Sequence, residues 1–403
     1  MYITKDIPLA GADIRNVLIH DTTLRDGEQM PGVVFTPDEK LALATKSIEF
    51  GTDLMDIMPA VSESEQRVTR RLAEMFPQKI SATCRAKRED IELVAKLGVR
   101  RVTLFTPVSD IHLKYKLGIS RDENLQRSLE IIDYARSFGM TIDFAGEDAT
   151  RADRTYLNEF LHAIEPSIDI FYIADTVGCL TPSVTRSFVA DLRKHHRCKL
   201  GLHVHNDFGL ATANTIEGLR AGADVFSGTF TGIGERAGNA PIEEVCIALR
   251  YLYGVELDVG YDMLSELCAL VQRCSGVNLQ PHKPISGSNA FCHESGIHAD
   301  GVIKNPATYE PFDPADVGAT RKFYFGKHSG SAVLRHFFGD LSEHERHALL
   351  TVIKRSAERQ KRSFSAEELS KLVAALRERS MWASRMRNVL RFAHRQPRVV
   401  TMA

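Results

Sequence analysis

Two histidines separated by one residue, His203 and His205, end a short apolar run that begins at Lys199. Alternate residues of an extended strand point to the same face, so both imidazoles would face one site. For an isolated His-x-His pair, two hydrogen-bonded core histidines are the alternative interpretation. Here a second, distant segment supplies the other half of a metal site, and this combination favours metal binding.

The second segment is the run HDTTLRDGEQ at residues 20–29, which follows the short apolar run at residues 17–19. Two neutral imidazoles and one carboxylate form a common open site for a divalent cation and leave positions free for a substrate. We therefore predict that Asp26, His203 and His205 bind a divalent metal. Arg25, beside the metal, would act as an electrophilic group.

Three further segments place polar residues where strands are expected to end. In the run GEDATR at residues 146–151, either Glu147 or Asp148 suits a general base, and an ion pair with Arg151 is the alternative. Thr176 offers a hydroxyl to a substrate carboxylate, although a helix cap would explain it too. Asn239, in the glycine-rich loop 231–240, either caps the next helix or reaches the metal.

The composition is that of an ordinary globular chain: 403 residues, 43% hydrophobic, 26% charged, with a formal net charge of −1. This charge gives no indication of a nucleic-acid or membrane partner. The N-terminus lacks a signal-peptide core, and no apolar run approaches the roughly 18 residues that span a bilayer. Seven scattered cysteines without a Cys-x-x-Cys pair indicate reduced thiols, so we expect a cytoplasmic protein.

Short apolar strands alternate with helical patterns over residues 1–275. The predicted strands span 17–20, 53–58, 79–84, 101–105, 140–145, 169–173, 199–205 and 224–230. Helix signals separate them, among them a capping box at Thr36 and glycines at helix ends. Eight strand–helix units predict an α/β fold, a (β/α)₈ TIM barrel, in which all strand ends converge on one mouth. An open doubly wound sheet is the alternative.

Two smaller regions follow the predicted barrel. Residues 276–340 are rich in proline and glycine and indicate an irregular linker subdomain. Residues 341–403 indicate a small helical subdomain, with capping boxes at Ser342 and Ser365. On spacing alone, His298 and Tyr309 in the linker would be structural residues.

Taken together, the motifs DTTLRDGEQ (21–29), HVHND (203–207) and GIGERAGN (232–239) closely resemble the α-isopropylmalate synthase and homocitrate synthase family. The resemblance covers roughly residues 15–335, and the branch that looks nearest contains the homocitrate synthases of nitrogen-fixing bacteria. Members of the family condense an acyl-CoA, usually acetyl-CoA, with a 2-oxo acid in a metal-dependent barrel. The resemblance thus implies an acyltransferase whose cosubstrate is acetyl-CoA.

The resemblance also assigns roles to individual residues. It implies that the residues holding the metal, as Mg²⁺, Mn²⁺ or Zn²⁺, are Asp26, His203, His205 and Asn239. It implies that the residues binding the 2-oxo acid are Arg25, Gln29 and Thr176, and Arg25 would also stabilise the oxyanion. It implies that the residues transferring protons are Glu147, His298 and Tyr309. Because the family's partner subunit contributes the segment that holds His298, a homodimer with shared active sites is expected.

Two departures from the family bear on the substrate. Lysine-pathway homocitrate synthases carry an arginine for the distal carboxylate of 2-oxoglutarate where this chain has Asp143, so a lysine-pathway role is not expected. Relatives end strand two with Glu-x-Gly-x-Pro, whereas this chain has MDIMP at residues 55–59. The bulkier Met55 and Ile57 are expected to reshape the pocket wall. Homocitrate synthase-like activity is the first hypothesis, with pyruvate, oxaloacetate, 2-oxoisovalerate or phosphonopyruvate as alternative substrates.

Two other activities within the superfamily fit the sequence less well. Hydroxyacyl-CoA lyases use a cysteine in the loop after strand eight, and the first cysteine after that strand here is Cys246, inside the next helix. A metal-binding paralogue without activity is disfavoured by intact Arg25, Glu147 and His298. The leucine-binding domain that usually follows isopropylmalate synthases is not apparent before residue 403, so we expect no leucine inhibition through such a domain.

Overall fold

The barrel strands are short apolar segments that end in polar residues. The computed structural model describes residues 14–378, and within them eight parallel strands pair in chain order until β8 returns to β1. These strands are β1 (Leu18–Asp21), β2 (Leu54–Ile57), β3 (Ile80–Arg85), β4 (Arg101–Pro107), β5 (Thr141–Glu147), β6 (Ile170–Asp175), β7 (Lys199–Val204) and β8 (Val225–Gly228). The closed sheet confirms the TIM barrel prediction and excludes the open doubly wound sheet.

Helices connect the strands of the barrel, and two further helices follow β8. The connecting helices are α1 (Pro37–Phe50), α2 (Glu63–Met75), α3 (Arg88–Lys96), α4 (Asp110–His112), α5 (Arg121–Ser137), α6 (Arg154–Ile164), α7 (Pro182–His195) and α8 (Ala211–Arg220), and those after β8 are α9 (Ile242–Tyr253) and α10 (Leu264–Ser275). The capping box at Thr36 forms as predicted, since its hydroxyl accepts from the Glu39 amide while the Glu39 carboxylate accepts from the Thr36 amide. None of the described helices is long and apolar enough to cross a membrane.

The lower part of the barrel is closed by apolar side chains. Leu54, Ile170 and Val225 form a buried cluster there with the ring of Tyr172. Tyr172 pairs in register with Gly201 on β7, and a Cβ at residue 201 would lie 2.4 Å from the tyrosine ring. A glycine is therefore needed at this position so that the ring has room inside the barrel.

The described residues fall into two compact units, of which the barrel, at residues 14–280 with 284–286, is the first. The second comprises residues 281–283 and 287–378 and has its own apolar core, which includes Phe325, Leu334 and Leu349. Its elements are β9 (Cys292–His293), α11 (Gly296–Lys304), β10 (Lys322–Phe325), α12 (Ser331–Phe337), α13 (Glu343–Gln360), β11 (Phe364–Ser365) and α14 (Ala366–Glu378). The C-terminal helical region is thus present, and the remainder of the predicted helical subdomain, 379–403, lies outside the described residues.

Replacing Gly201 with alanine should destabilise the barrel by about 1–3 kcal/mol, because the new methyl group overlaps the Tyr172 ring. Chemical denaturation of Gly201→Ala and of the double variant Gly201→Ala/Tyr172→Leu measures this effect. In the Tyr172→Leu background, Gly201→Ala should lower the free energy of unfolding far less, because the ring that the new methyl group would overlap is gone. Equal costs in the two backgrounds would show that the contact does not constrain residue 201.

Candidate metal centre and substrate cavity

The turn after β1 is tied to β8 by the Asp-Thr-Thr residues of the first motif. The Thr22 amide and hydroxyl both donate to the Gly228 carbonyl, at 2.8 and 3.0 Å. The Thr23 amide donates to Asp21 Oδ1 at 2.8 Å, and Thr23 Oγ1 accepts from the Phe230 amide at 3.0 Å. These bonds fix the turn from which the next residues of the motif reach the barrel mouth.

A buried lysine fixes the other end of the same loop. Lys40 on α1 is fully buried, and its ammonium contacts Glu28 Oε2 at 2.5 Å as well as Glu65 on α2. Glu28 Oε1 also accepts from the Phe35 amide at 2.9 Å. Because a buried ammonium needs charged partners, this contact joins the loop to two helices.

Asp26, His203 and His205 converge at the mouth, as the sequence indicates. Asp26 Oδ2 lies 3.1 Å from His203 Nε2 and 3.6 Å from His205 Nε2, and the three candidate ligand atoms lie within 4.8 Å of one another. Ser227 Oγ lies 3.0 Å from His203 Nδ1 and orients that ring so that Nε2 faces the carboxylate. One carboxylate and two imidazoles suit a divalent cation.

The protonation of these groups also suits a cation. Burial would raise the pKa of Asp26, but Arg25 and the two histidines outweigh it and lower that pKa well below its usual range. Burial, followed by the neighbouring His203, lowers the pKa of His205 from 6.5 to about 4. At neutral pH both groups are therefore in the deprotonated forms that bind metals.

Asn239 is placed by the glycine-rich loop after β8. Its Nδ2 donates to the Ile233 carbonyl at 3.1 Å, and a Cβ at residue 234 would lie 2.1 Å from that nitrogen. Within residues 14–378, its buried Oδ1 has no hydrogen-bond partner. The N-cap of α9 is Pro241, so Asn239 does not cap that helix. A buried acceptor without a partner fits the alternative, that the side chain completes the metal's surroundings.

Arg25 is held from one side by a carboxylate of β2. Its Nε donates to Asp56 Oδ2 at 2.7 Å, and its Nη1 lies 3.7 Å from Asp26 Oδ2. Thr83 Oγ1 donates to Asp56 and keeps that carboxylate in place, at 2.8 Å from both of its oxygens. The guanidinium is thereby fixed beside the candidate metal ligands.

The expected effect of Met55 and Ile57 on the pocket wall is wrong. Strand residues alternate between faces, and Met55 and Ile57 are buried without lining the cavity, whereas Asp56 and Met58 line it. Asp56 was not among the predicted site residues, although the alternation along β2 indicates which of its residues face inward. The carboxylate that the motif lacks at residue 55 is supplied one residue later.

The two carboxylates after β5 behave differently. Glu147 accepts from Lys116, whose ammonium lies 2.7 Å from both oxygens, and His112 Nδ1 lies 3.1 Å away. Asp148 is fully buried and accepts from Arg151 at 2.8 Å. The ion pair with Arg151, left open by the sequence, therefore belongs to Asp148, while Glu147 lines the cavity.

Thr176 lines the cavity, and its hydroxyl oxygen already accepts one hydrogen bond. Its Oγ1 accepts from the Asp148 amide at 2.9 Å, and its carbonyl accepts from Arg236 at 2.6 Å. The N-cap of α7 is Thr181, which removes the helix-cap alternative for Thr176. Since the hydroxyl accepts from an amide, its own hydrogen is available to a ligand.

Asp143 on β5 is fully buried and does not line the cavity. It accepts from Arg101 Nη1 at 2.6 Å, and burial raises its pKa to about 7 although Arg101 opposes the rise. This residue therefore offers no cation to a distal substrate carboxylate.

The cavity has a volume of about 360 Å³. It brings together seven of the sequence-predicted site residues, namely Arg25, Asp26, Gln29, Glu147, Thr176, His203 and His205. The predicted residues His298 and Tyr309 lie in the second unit, where their rings stack with centroids 4.0 Å apart. Ser227, Lys116 and Tyr172 also line the cavity, although no sequence motif pointed to them.

Replacing Ser227 with alanine should lower the affinity for a divalent metal by about 10- to 100-fold, because the imidazole of His203 loses its orienting hydrogen bond. Calorimetric titration with Mn²⁺ measures this. Thr103→Val is the matched control, since Thr103 also lines the cavity but bonds to Ser81 instead. Equal affinities of Ser227→Ala and the control would contradict the assignment of His203 as a ligand.

The buried His20 should make folding stability depend on pH. Burial lowers its pKa from 6.5 to about 4, so between these values the unfolded chain takes up a proton that the folded chain does not. Stability should therefore fall as the pH drops from about 6.5 towards 4, by up to about 3 kcal/mol from this residue.

Chemical denaturation of metal-free protein across this pH range tests the expectation. His20→Gln should show a smaller loss of stability than the unsubstituted chain. His195→Gln, at an exposed position, should not differ from it. An unchanged pH dependence in His20→Gln would disprove the assignment.

The sequence of this chain matches two family models and several proteins that are named as synthases. Residues 16–272 match the family model described as HMGL-like, and residues 285–362 match the one described as homocitrate synthase post-HMGL domain-like. A probable 2-isopropylmalate synthase from Methanopyrus kandleri is 46% identical over 79% of this chain and 64% of that protein. A homocitrate synthase, AksA, from Methanocaldococcus jannaschii is 40% identical over 91% of this chain and 93% of that protein.

A putative (R)-citramalate synthase from Methanopyrus kandleri is 41% identical over 87% of this chain and 71% of that protein. The chain thus spans a little under two thirds of the 2-isopropylmalate synthase and somewhat more of the citramalate synthase.

Comparison with solved structures shows the fold. The HMG-CoA lyase from Bacillus subtilis superposes with a TM-score of 0.60 at 19% identity, over 67% of this chain and 96% of that one. The lyase from Brucella melitensis gives 0.59 at 17% identity, over 65% and 100%. The sequence matches, which cover most of this chain, confirm the resemblance drawn from the three motifs: the chain belongs to the HMGL-like family, and its relatives include isopropylmalate, citramalate and homocitrate synthases.

Proposed function

We propose that this protein condenses acetyl-CoA with a 2-oxo acid in a reaction that depends on a divalent metal. The convergence of Asp26, His203 and His205 beside Arg25 in one cavity carries the proposal. The product is a 2-hydroxy-2-carboxymethyl acid, and free CoA is released. The names of the sequence relatives support a synthase, with homocitrate synthase-like activity as the first hypothesis.

In this reaction Asp26, His203, His205 and Asn239 would hold the metal, which when bound supplies Lewis acidity towards the ketone of the 2-oxo acid. Mg²⁺, Mn²⁺ and Zn²⁺ are the candidates. The orphaned Oδ1 of Asn239 and the low pKa of Asp26 support this assignment.

Arg25 would stabilise the negative charge that develops on the ketone oxygen. Its Nε is bonded to Asp56, so the guanidinium is oriented before substrate binds, and its terminal nitrogens remain near the candidate ligands. A donor fixed in advance lowers the barrier because it does not have to reorganise during the reaction.

Thr176 and Gln29 would bind the carboxylate of the 2-oxo acid. The Thr176 hydroxyl accepts from the Asp148 amide, which leaves its own hydrogen free to be donated to a ligand. Both side chains line the same cavity as the candidate metal ligands.

Glu147 would accept a proton from the methyl group of acetyl-CoA, as a general base. The methyl carbon then forms a bond with the ketone carbon while the π bond of the ketone breaks, and the ketone oxygen takes up a proton to become the hydroxyl of the product. Water cleaves the thioester, and the CoA thiol leaves. Lys116 and His112 hold the Glu147 carboxylate at the cavity wall before the proton is transferred.

The proposal also includes a homodimer with shared active sites. His298 and Tyr309 would serve in proton transfer at the site of the partner subunit, an assignment that rests on the family resemblance. The rings of His298 and Tyr309 stack on each other within the second unit, so their polar atoms lie close together. A hydroxyacyl-CoA lyase is less well supported, because the solved lyases share only 15–19% identity with this chain.

Arg25→Gln should lower kcat for CoA release by about 10²- to 10³-fold, the usual effect of removing an oxyanion donor. The assay measures free thiol from acetyl-CoA with Mg²⁺ or Mn²⁺ and a panel of 2-oxo acids. Arg85→Gln is the matched control, since Arg85 pairs with Asp90 and does not line the cavity. Absence of CoA release with every 2-oxo acid would refute the synthase proposal.

Mixed dimers test the shared site. Arg25→Gln and His298→Ala should each be nearly inactive alone, and unfolding and reassembling them together should restore up to about a quarter of the unsubstituted activity per active site, through mixed dimers that contain one intact site. No recovery in verified mixed dimers would show that His298 acts within its own subunit or not at all.

A further inference from the structure

A hydrogen-bonded tyrosine–histidine pair forms the inner end of the cavity. Tyr172 lies in the middle of β6, its ring belongs to the buried cluster that closes the barrel, and its hydroxyl lies 2.6 Å from His20 Nδ1 on β1. Both residues line the cavity and are only 2% exposed. Ala174, two residues further along β6, is paired in register with His203. Along β6, Tyr172 therefore lies about 7 Å from the residue that pairs with that ligand, while His20 pairs with Ser227, the neighbour of His203 on β8.

The pair has more hydrogen atoms to donate than it has acceptors to receive them. Burial lowers the pKa of His20 to about 4 and raises the pKa of Tyr172 well above 10, so both side chains are neutral at pH 7. A neutral tyrosine and a neutral histidine carry one polar hydrogen each, and their mutual bond uses only one of the two.

The remaining hydrogen has no partner in the described part of the chain. If the hydroxyl donates to Nδ1, the free hydrogen is on His20 Nε2, a buried atom without a hydrogen-bond partner among residues 14–378. If Nδ1 donates instead, the free hydrogen is on the Tyr172 hydroxyl, for which the described residues offer no second bond. Both tautomers thus leave one donor without a protein partner, so this hydrogen is available to an acceptor in the cavity.

Neighbouring hydroxyls on the cavity wall are already bonded. Ser227 bonds to His203, Thr103 bonds to Ser81, and Thr83 donates to Asp56. Among these groups, the Tyr172–His20 pair is the one that contains a buried atom without a hydrogen-bond partner in residues 14–378, His20 Nε2.

We propose that the Tyr172–His20 pair determines substrate specificity by donating this hydrogen to the side chain of the bound 2-oxo acid. The substrate class is then a 2-oxo acid whose side chain carries an oxygen acceptor, such as a second acid group, and not a purely alkyl side chain. This inference rests on the proposed function, because it concerns the 2-oxo acid of that reaction.

The test compares substrates that differ only in the acceptor. Oxaloacetate is paired with 4-methyl-2-oxopentanoate, and 2-oxoglutarate with 5-methyl-2-oxohexanoate, since an isopropyl group replaces the carboxylate in each alkyl acid. For at least one pair, kcat/KM for CoA release should favour the acid with the acceptor by about 100-fold. Better turnover of the alkyl acid in both pairs, or equal turnover, would overturn the inference while leaving the synthase proposal intact.

Variants assign the preference to the pair. His20→Phe/Tyr172→Phe removes both polar hydrogens and should reduce the preference to less than about tenfold, whereas Thr103→Val should keep it. A preference that survives in the folded double variant would overturn the assignment. If the double variant does not fold, Tyr172→Phe takes its place, and it should reduce the preference because the imidazole is no longer fixed.

Binding separates this inference from the proposed function. Calorimetry of the unsubstituted protein with Mn²⁺ measures the affinity for both acids of each pair without requiring turnover. If no 2-oxo acid releases CoA, the proposed function fails. Tighter binding of the acceptor-bearing acid would still support the role of the pair, and equal binding would overturn it.

Discussion

The contact between the Asp26 carboxylate and two imidazoles is the interaction on which the rest of the barrel mouth depends. Asp26 follows β1, whereas the two histidines lie at the end of β7, and these groups meet because the sheet closes between β1 and β8. The Asp-Thr-Thr turn bonded to β8 and the buried Lys40 fix the loop that carries Asp26. Without these hydrogen bonds and ion pairs, nothing would hold the Asp26 carboxylate close to both imidazole rings.

The pattern of the sequence predicted the barrel because each strand is short, apolar and followed by polar residues, while capping boxes and glycines mark the helices between them. The candidate metal ligands were predictable for the same reason, since polar residues after parallel strands meet at one mouth. The roles of individual polar residues were left open by the sequence pattern, and single contacts in the structure decide them. Asp148, and not Glu147, pairs with Arg151, and Asn239 does not cap α9.

Some site residues carried no signal that a motif search would find. Asp56 lies one position from the expected carboxylate, and only the alternation of β2 indicates that it faces inward. Tyr172 and His20 are 152 residues apart, and their bond depends on the register of the closed sheet and on the space left by Gly201. Such contacts join distant parts of the chain, so local spacing in the sequence does not reveal them.

A divalent cation bound between Asp26, His203 and His205 would explain why these three groups converge at the barrel mouth. Anomalous diffraction from crystals grown with Mn²⁺ and a 2-oxo acid tests this explanation most directly. A single strong anomalous peak should lie within about 2.0–2.3 Å of the Asp26 carboxylate and both histidine Nε2 atoms, with the 2-oxo acid beside it. A well-occupied peak elsewhere in the cavity, or none at saturating Mn²⁺, would contradict the account.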